Sequence, residues 1–315
     1  MNEQYMVYVE CTTYNQSAYI TSALDGFCMQ QTSFPFICCI IDDASTDGEQ
    51  GVLESYLKAN FEYDESTSKE ETDNFVRIFA RHKSNTACYF AVVFLKNNHY
   101  QKRIPITPYT KEWQEKAKYT AMCEGDDYWS DPLKLQKQVD FMEDHPSHSL
   151  CFCAHQLLFP SGKMTIERRY EKKMELCPMQ DIIMGGGGYM ATNTMLFRQS
   201  LYVPYQTWTP DCPIGDLPMM LSLANKGHVG YLADVMGVYR VSAKGSWTAR
   251  MASNPTLRND HHLAIIRMWH QFDDWSNKQY HKIIAKKIRN NRRKHFTAKL
   301  KTMCNSLIKY FASTK

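Results

Sequence analysis

Residues 36–41, FICCII, are an unbroken apolar run of aromatic, thiol and β-branched side chains, and the polar turn DDASTDG follows at once. A strand without polar alternation has both faces buried, the condition of a strand inside a helix-covered parallel sheet. The flanking segments agree. Residues 5–10 are a short β-prone run, 17–31 carry helical spacing with Ser17 at the N-cap position, and 52–59 form the next helical stretch. Further strands are expected at 75–80 and 119–123, and 193–198 reads as another. This β-α-β-α order predicts an α/β fold with a mostly parallel sheet flanked by helices. Ligands of such sheets bind beyond the carboxyl ends of the strands, so the polar turns after strands are where function is sought.

Composition narrows the class. With 315 residues and 22% charged residues the chain has ample material for a core, which excludes a wholly disordered protein. No apolar run approaches the roughly 18 residues of a spanning helix. The opening MNEQYMVYVE lacks the basic and apolar regions of a secretory signal, so a cytoplasmic location is expected. The eleven cysteines are an odd number without zinc-knuckle spacing, and they read as free thiols, mostly small core residues. Net charge is +4, but no acidic residue follows Asp274, and 12 of the 37 basic ones lie beyond it. An acidic body therefore carries a basic tail. Residues 278–310 interleave Ile283, Ile284, Ile288, Phe296 and Leu300 with Lys and Arg. That pattern fits a basic helix packed on the body, or an interfacial helix on an anionic membrane surface, and the second is favoured.

Other segments are punctuation. Residues 62–74 hold six acidic side chains and read as an exposed inserted loop, with 96–115 a second insertion. Residues 132–144 form a helix, with Asp131 as N-cap and Pro132 in the first turn. Four glycines at 185–188 lack the Lys-Ser/Thr of a P-loop and read as a flexible loop that lets a substrate approach closely.

Three motifs carry chemistry. In the turn at 42–48, Asp43, Ser45, Asp47, Gly48 and Glu54 match the spacing of a calcium loop, but that loop needs a helix before it, and here a strand precedes. A capped strand-to-helix turn and a pocket for a nucleotide base or ribose are the remaining readings. The second motif, EGDD at 124–127, packs three carboxylates into four positions; they repel unless a cation or donors compensate, and hard oxygens suit Mg²⁺ or Mn²⁺. The third is Asp216 at the start of an apolar helix closed by Gly227, which is either ordinary capping or a general base at a helix N-terminus.

In this order, TTYN at 12–15, IDDASTDG at 41–48, EGDDYWSDPLKLQKQ at 124–138, GDLPMMLSLANKG at 215–227 and VYRVSAKGSW at 238–247 resemble a family 2 glycosyltransferase with the GT-A (Rossmann-like) fold. The longest of these is similar to a bacterial surface-polysaccharide subgroup. The resemblance implies a GT-A domain over residues 1–250, with a nucleotide-binding half to about 130 and an acceptor half beyond, then a helical basic extension at 251–315. It assigns Thr12, Tyr14, Asp42 and Asp43 to the nucleotide base, and Glu124, Asp126 and Asp127 to a divalent metal bridging the diphosphate. Asp126 thereby also belongs to the nucleotide site. Asp216 falls at the catalytic base, with Arg240 and Lys244 as cations over the diphosphate. The implied reaction is inverting transfer from a nucleotide-sugar donor, UDP-linked by expectation, to a glycan or lipid-linked acceptor at the inner face of the membrane. Two positions depart from the pattern: Gly215 stands where many relatives carry an acidic residue, and Ser242 where they often carry His. A sugar nucleotidyltransferase would need a Gly-rich, Arg-containing loop after the first strand, and CTTYNQSAY has no glycine. A non-catalytic binding protein of the same fold is the other alternative. No helix-turn-helix, zinc-finger or RNP signature points to nucleic acid.

Overall fold

The computed structural model describes residues 4–62, 69–203 and 207–313, with side chains described to residue 297 apart from residue 252. The chain begins β1 (Tyr5–Thr13), α1 (Ile20–Cys28), β2 (Phe36–Asp42), α2 (Glu49–Asn60), then the short β3 (Phe61–Glu62) and β4 (Lys69–Glu71). It continues β5 (Phe75–His82), β6 (Cys88–Leu95), α3 (His99–Lys102), α4 (Thr107–Gln114), β7 (Ala117–Met122), β8 (Tyr128–Trp129) and α5 (Lys134–Asp144). The second half is β9 (His148–Leu158), β10 (Met164–Glu167), α6 (Met179–Gly185), β11 (Leu196–Arg198), α7 (Asp216–Lys226) and β12 (His228–Arg240). Three helices close the chain: α8 (Trp247–Ser253), α9 (Pro255–Trp275) and α10 (His281–Ser313).

Among the described residues these strands form one twelve-stranded sheet, ten of them in the order β3-β5-β6-β2-β1-β7-β11-β9-β12-β8, with β10 paired to β9 and β4 to β5. Strands β6, β2, β1 and β7 are mutually parallel, and every residue of β2 is buried, as its apolar run demands. Strand β5 pairs antiparallel with β6, and β11 antiparallel with β7 and β9. The parallel register of β1 and β2 brings Thr13 level with Asp42, so two polar turns leave the sheet side by side.

Several boundaries differ from the sequence reading, each for a visible reason. Strand β1 runs three residues beyond 10, because Cys11, Thr12 and Thr13 pair with Ile40, Ile41 and Asp42. Helix α1 begins at Ile20; Ser17 instead donates its backbone N–H to Asp47. Helix α2 begins at Glu49, directly after Gly48, which lies in the left-handed region at φ 92°. Strand β6, CYFAVVFL, is an element the sequence reading passed over, although its apolar run is as clear as that of β2. The glycine run is a 3-10 turn at Gly186–Gly188. A Cβ on Gly186 would lie 2.8 Å from the Lys287 Nζ, so what approaches closely there is α10. The ten described cysteines are free thiols.

The first half has cores on both sheet faces, one around Val9, Phe27 and Phe90, the other around Tyr8, Ile37 and Trp113. A third core joins β9, β12 and α7 to α9 and the start of α10 through Trp269, Phe272, Ile284 and Ile288. The basic helix thus seats its first apolar residues on the body, while Lys282, Lys286, Arg289, Arg292 and Arg293 stay exposed. Leu300 lies beyond the described side chains.

Candidate active site

Three turns at the carboxyl ends of β1, β2 and β7 are sewn into one unit. Glu49, fully buried, accepts hydrogen bonds from the Thr13 hydroxyl, the Gln16 backbone N–H (2.8 Å) and the Ser45 hydroxyl (2.9 Å). Asn15 accepts from the Thr46 N–H at 2.7 Å and donates its own N–H to Ser45 Oγ at 2.9 Å. Asp47 accepts from Ser17 N–H and Glu49 N–H. The third turn joins through backbone: Cys123 N–H donates to Glu10, and Gly125 N–H to Thr12. A Cβ at Gly125 would lie 2.4 Å from Thr13 Oγ1 and 2.5 Å from Gln16 Oε1, so only glycine permits this approach. Glu49 and Gly125 were not singled out as site residues from the sequence; the local signal, an acidic residue opening a helix, is indistinguishable from ordinary capping.

The knot leaves Thr12 and Tyr14 exposed at the end of β1, which fits a surface open to a ligand. The Asp pair after β2 is committed internally. Asp42 accepts from Ser45 N–H and from Gln50 Nε2 at 2.6 Å; Asp43 accepts from the His99 and Tyr100 N–H groups at 2.5 and 3.0 Å and so caps α3.

The acidic turn after β7 divides its carboxylates. Asp127 is buried and accepts the Arg240 N–H at 2.8 Å. The Arg240 guanidinium donates to the Asp126 carbonyl (2.7 Å) and Ser22 Oγ (3.1 Å), with its carbon 5.2 Å from the Tyr19 ring and 4.7 Å from the Tyr128 ring. Asp127 and Arg240 thus tie the acidic turn to the end of β12. Lys244 is exposed beside Gly245, its backbone N–H 3.4 Å from the Tyr19 hydroxyl.

Glu124 and Asp126 remain. Burial, then the neighbouring Asp126 charge, push Glu124 up to about 7, although the Thr192 hydroxyl opposes the shift. Burial likewise raises Asp126, opposed by Arg240 and Gln16. Among the described residues no three His, Cys, Asp or Glu side chains form a metal-binding group. Two carboxylates are nonetheless a fitting donor set for Mg²⁺ or Mn²⁺, which takes its other ligands from phosphate and water. A dication would relieve the burial and repulsion that raise both groups.

Asp216 opens α7 after the exposed Gly215, near enough to Glu124 for its charge to act there. Burial raises Asp216, and the His261 imidazole on α9 opposes that rise. His261 Nδ1 is buried without a hydrogen-bond partner, and its ring meets Trp247 edge-on at 5.5 Å. Nothing in the sequence singled out His261, because α9 is 45 positions from Asp216 and no motif spans them.

The architecture is that of GT-A-type glycosyltransferases. Residues 1–349 of TarS from S. aureus, solved with UDP-GlcNAc, superpose with a TM-score of 0.59 at 16% identity, covering 90% of this chain and 71% of that one. The mannosyltransferase PcManGT from Pyrobaculum calidifontis, solved with GDP-Man and Mn²⁺, gives 0.51 at 13% identity, covering 85% and 64%. Likeness at such identities concerns the fold alone. In sequence, the uncharacterized proteins Rv1520 of Mycobacterium tuberculosis and Mb1547 of Mycobacterium bovis are each 29% identical over 248 residues, 75% of this chain. The chain spans 58% of the length of these relatives. No family model matches the chain.

Proposed function

We propose that the protein is a glycosyltransferase that moves a sugar from a nucleotide-diphosphate donor, UDP-linked, to a glycan or lipid-linked acceptor. The observation that carries this reading is the knot of three turns. It presents Thr12, Tyr14, Glu124 and Asp126 on one rim, with Asp216 across the crevice. Thr12 and Tyr14 face the base, and Asp43 keeps α3 against the base site. Asp42 shapes the same turn. Asp126 and Glu124, with Asp127, would hold a divalent ion, with Arg240 fixing their loop and Lys244 at the diphosphate rim. When bound, that ion supplies positive charge against the diphosphate, a contribution worth several kcal/mol.

The acceptor hydroxyl oxygen attacks the anomeric carbon from the face opposite the diphosphate. Asp216 takes the hydroxyl proton as the new C–O bond forms and the bond to the diphosphate oxygen breaks, which inverts the anomeric centre. A carboxylate raised by burial is a stronger base than one in water, and Asp216 is so placed.

The exposed cations of α10 add a second element of the proposal: adhesion to anionic lipid, bringing the site to a lipid-linked acceptor of surface polysaccharide synthesis. Ile284 and Ile288 are spent on the core, so this adhesion is electrostatic and weakens with salt. Among the described residues no helix is long and apolar enough to cross a membrane. Removal of residues 278–315 that left liposome sedimentation unchanged would discard this element.

The transferase reading is tested by thermal shift with nucleoside diphosphates and nucleotide sugars, with Mn²⁺ and with chelator. A ligand at 100 times its dissociation constant stabilises the fold by about 2.7 kcal/mol. Metal-dependent stabilisation by one base series, lost in Asp126→Ala, is expected. Absence of any shift would remove the donor site and leave a binding protein on a transferase fold.

A further inference from the structure

A cavity of about 320 Å³ lies between β5, α4 and the start of β1; its Arg77 and Phe79 stand three strands from β1, level with Thr12 and Glu10. Tyr5, which lines it, opens β1, seven residues before Thr12, or roughly 23 Å away at ~3.3 Å per residue. Its floor is aromatic. The Phe79 ring is 36% exposed and lies nearly parallel to Trp113 (6.5 Å, 9°) and to Tyr89 (5.9 Å, 21°). Trp113 and Tyr5 are buried, and Tyr5 meets Tyr89 edge-on at 5.5 Å, so the Phe79 ring is held among packed aromatics before any ligand arrives.

Charged groups lie flat along this floor. The Arg77 guanidinium sits 4.8 Å from the Trp113 ring, paired with Glu70 at 2.5 Å and Glu112 at 3.5 Å. With Lys69 and Lys116 also in the lining, three cations face two carboxylates, so the cavity is close to neutral and disfavours a strongly ionic ligand. A partly exposed aromatic ring beside charged hydrogen-bonding groups matches a pyranose, whose C–H face is apolar and whose rim is hydroxyl. The volume falls at the lower end of the range of small-ligand sites.

We infer that the cavity formed by Phe79, Trp113, Arg77 and Glu112 is a saccharide-binding site separate from the transfer crevice. That its saccharide is a distal portion of the acceptor glycan rests on the proposed transferase reading; binding itself does not. Isothermal titration of the full chain with chitotetraose, maltotetraose, cellotetraose and mannotetraose, up to about 10 mM, tests the site; a 1 mM dissociation constant is then exceeded tenfold. At least one of the four is expected to bind. Phe79→Ala should weaken that binding about tenfold or more, as expected for loss of a phenyl contact face. Glu112→Gln, on a side chain 47% exposed and so harmless to folding, should weaken it about threefold. UDP binding should be unchanged in both variants, whereas Asp126→Asn should lose UDP and keep the oligosaccharide. Saccharide binding without UDP binding in the parent would remove the donor site and leave this one standing. No heat with any of the four sugars, or binding unaffected by Phe79→Ala, overturns the inference.

Discussion

Two Asp–Asp pairs follow parallel strands of this sheet, and in sequence they look alike. Asp42 and Asp43 after β2 are both spent on local structure, one on Ser45 and Gln50, the other on the first N–H groups of α3. After β7 the labour is divided: Asp127 holds the Arg240 backbone, and Asp126 is left half-buried on the crevice beside Glu124. A pair of carboxylates after a strand is therefore not one kind of signal. What separates them is the supply of N–H donors nearby. A turn leading into a helix offers several; the turn after β7 gives Asp127 the Arg240 N–H from β12 and leaves Asp126 with its own N–H and the Gln16 side chain.

The sharpest way to break this comparison is to neutralise the free member. Asp126→Asn should lower transfer by about 100-fold or more, the usual cost of losing a preorganised charge contact at a reacting diphosphate. Melting temperature should hold or rise, since the lost carboxylate was raised by burial. Equal loss of stability would show that Asp126 is structural like its neighbour. Asp127→Ala should do the reverse, costing about 1–3 kcal/mol in urea unfolding because the Arg240 N–H loses its acceptor. Gly125→Ala comes next. It drives a methyl into Thr13 and Gln16 and should cost about 1–3 kcal/mol with a matching loss of UDP affinity, because both turns must shift. Unchanged UDP affinity in a folded Gly125→Ala protein would show that the knot does not set the donor site.

The fold was legible where chemistry and periodicity coincide. The fully apolar β2 and the polar turn behind it announced a covered parallel strand, and a helix was expected over 132–144; it starts at Lys134 with Leu133 at the N-cap, and Asp131 instead accepts the Leu133 N–H in the turn before it. Strand β6 was equally legible and was missed between two apparent insertions. What could not be read was partnership over distance. Arg240 binds a turn more than 110 positions earlier, and Thr13 donates its buried hydroxyl to Glu49 36 positions away. The His261 and Asp216 charges act on one another only because α9 folds back over the third core. The tail helix showed the same limit: its pattern favoured a membrane surface over a core, whereas Ile284 and Ile288 pack with Trp269 in the core.

The smallest effect probes the committed pair. If Asp42 acts only as a cap, its charge is dispensable. In Asp42→Asn the side-chain oxygen still accepts from Ser45, and the new amide can donate to Gln50 once that amide turns over. Burial raises Asp42 despite the Ser45 and Gln50 hydrogen bonds, so the folded state holds its proton more tightly than the unfolded chain. Stability from this group is thus fully present below the unfolded value of about 3.9 and declines as pH rises through the raised folded value. Asp42→Asn should therefore gain on the parent at neutral pH and lose that gain near pH 4. The change should be on the order of 0.5–1 kcal/mol or less, one hydrogen bond exchanged for another. Urea unfolding at the two pH values measures it. A loss of more than about 2 kcal/mol at neutral pH, or a loss of UDP binding, would show that the first pair needs its charge as the second does.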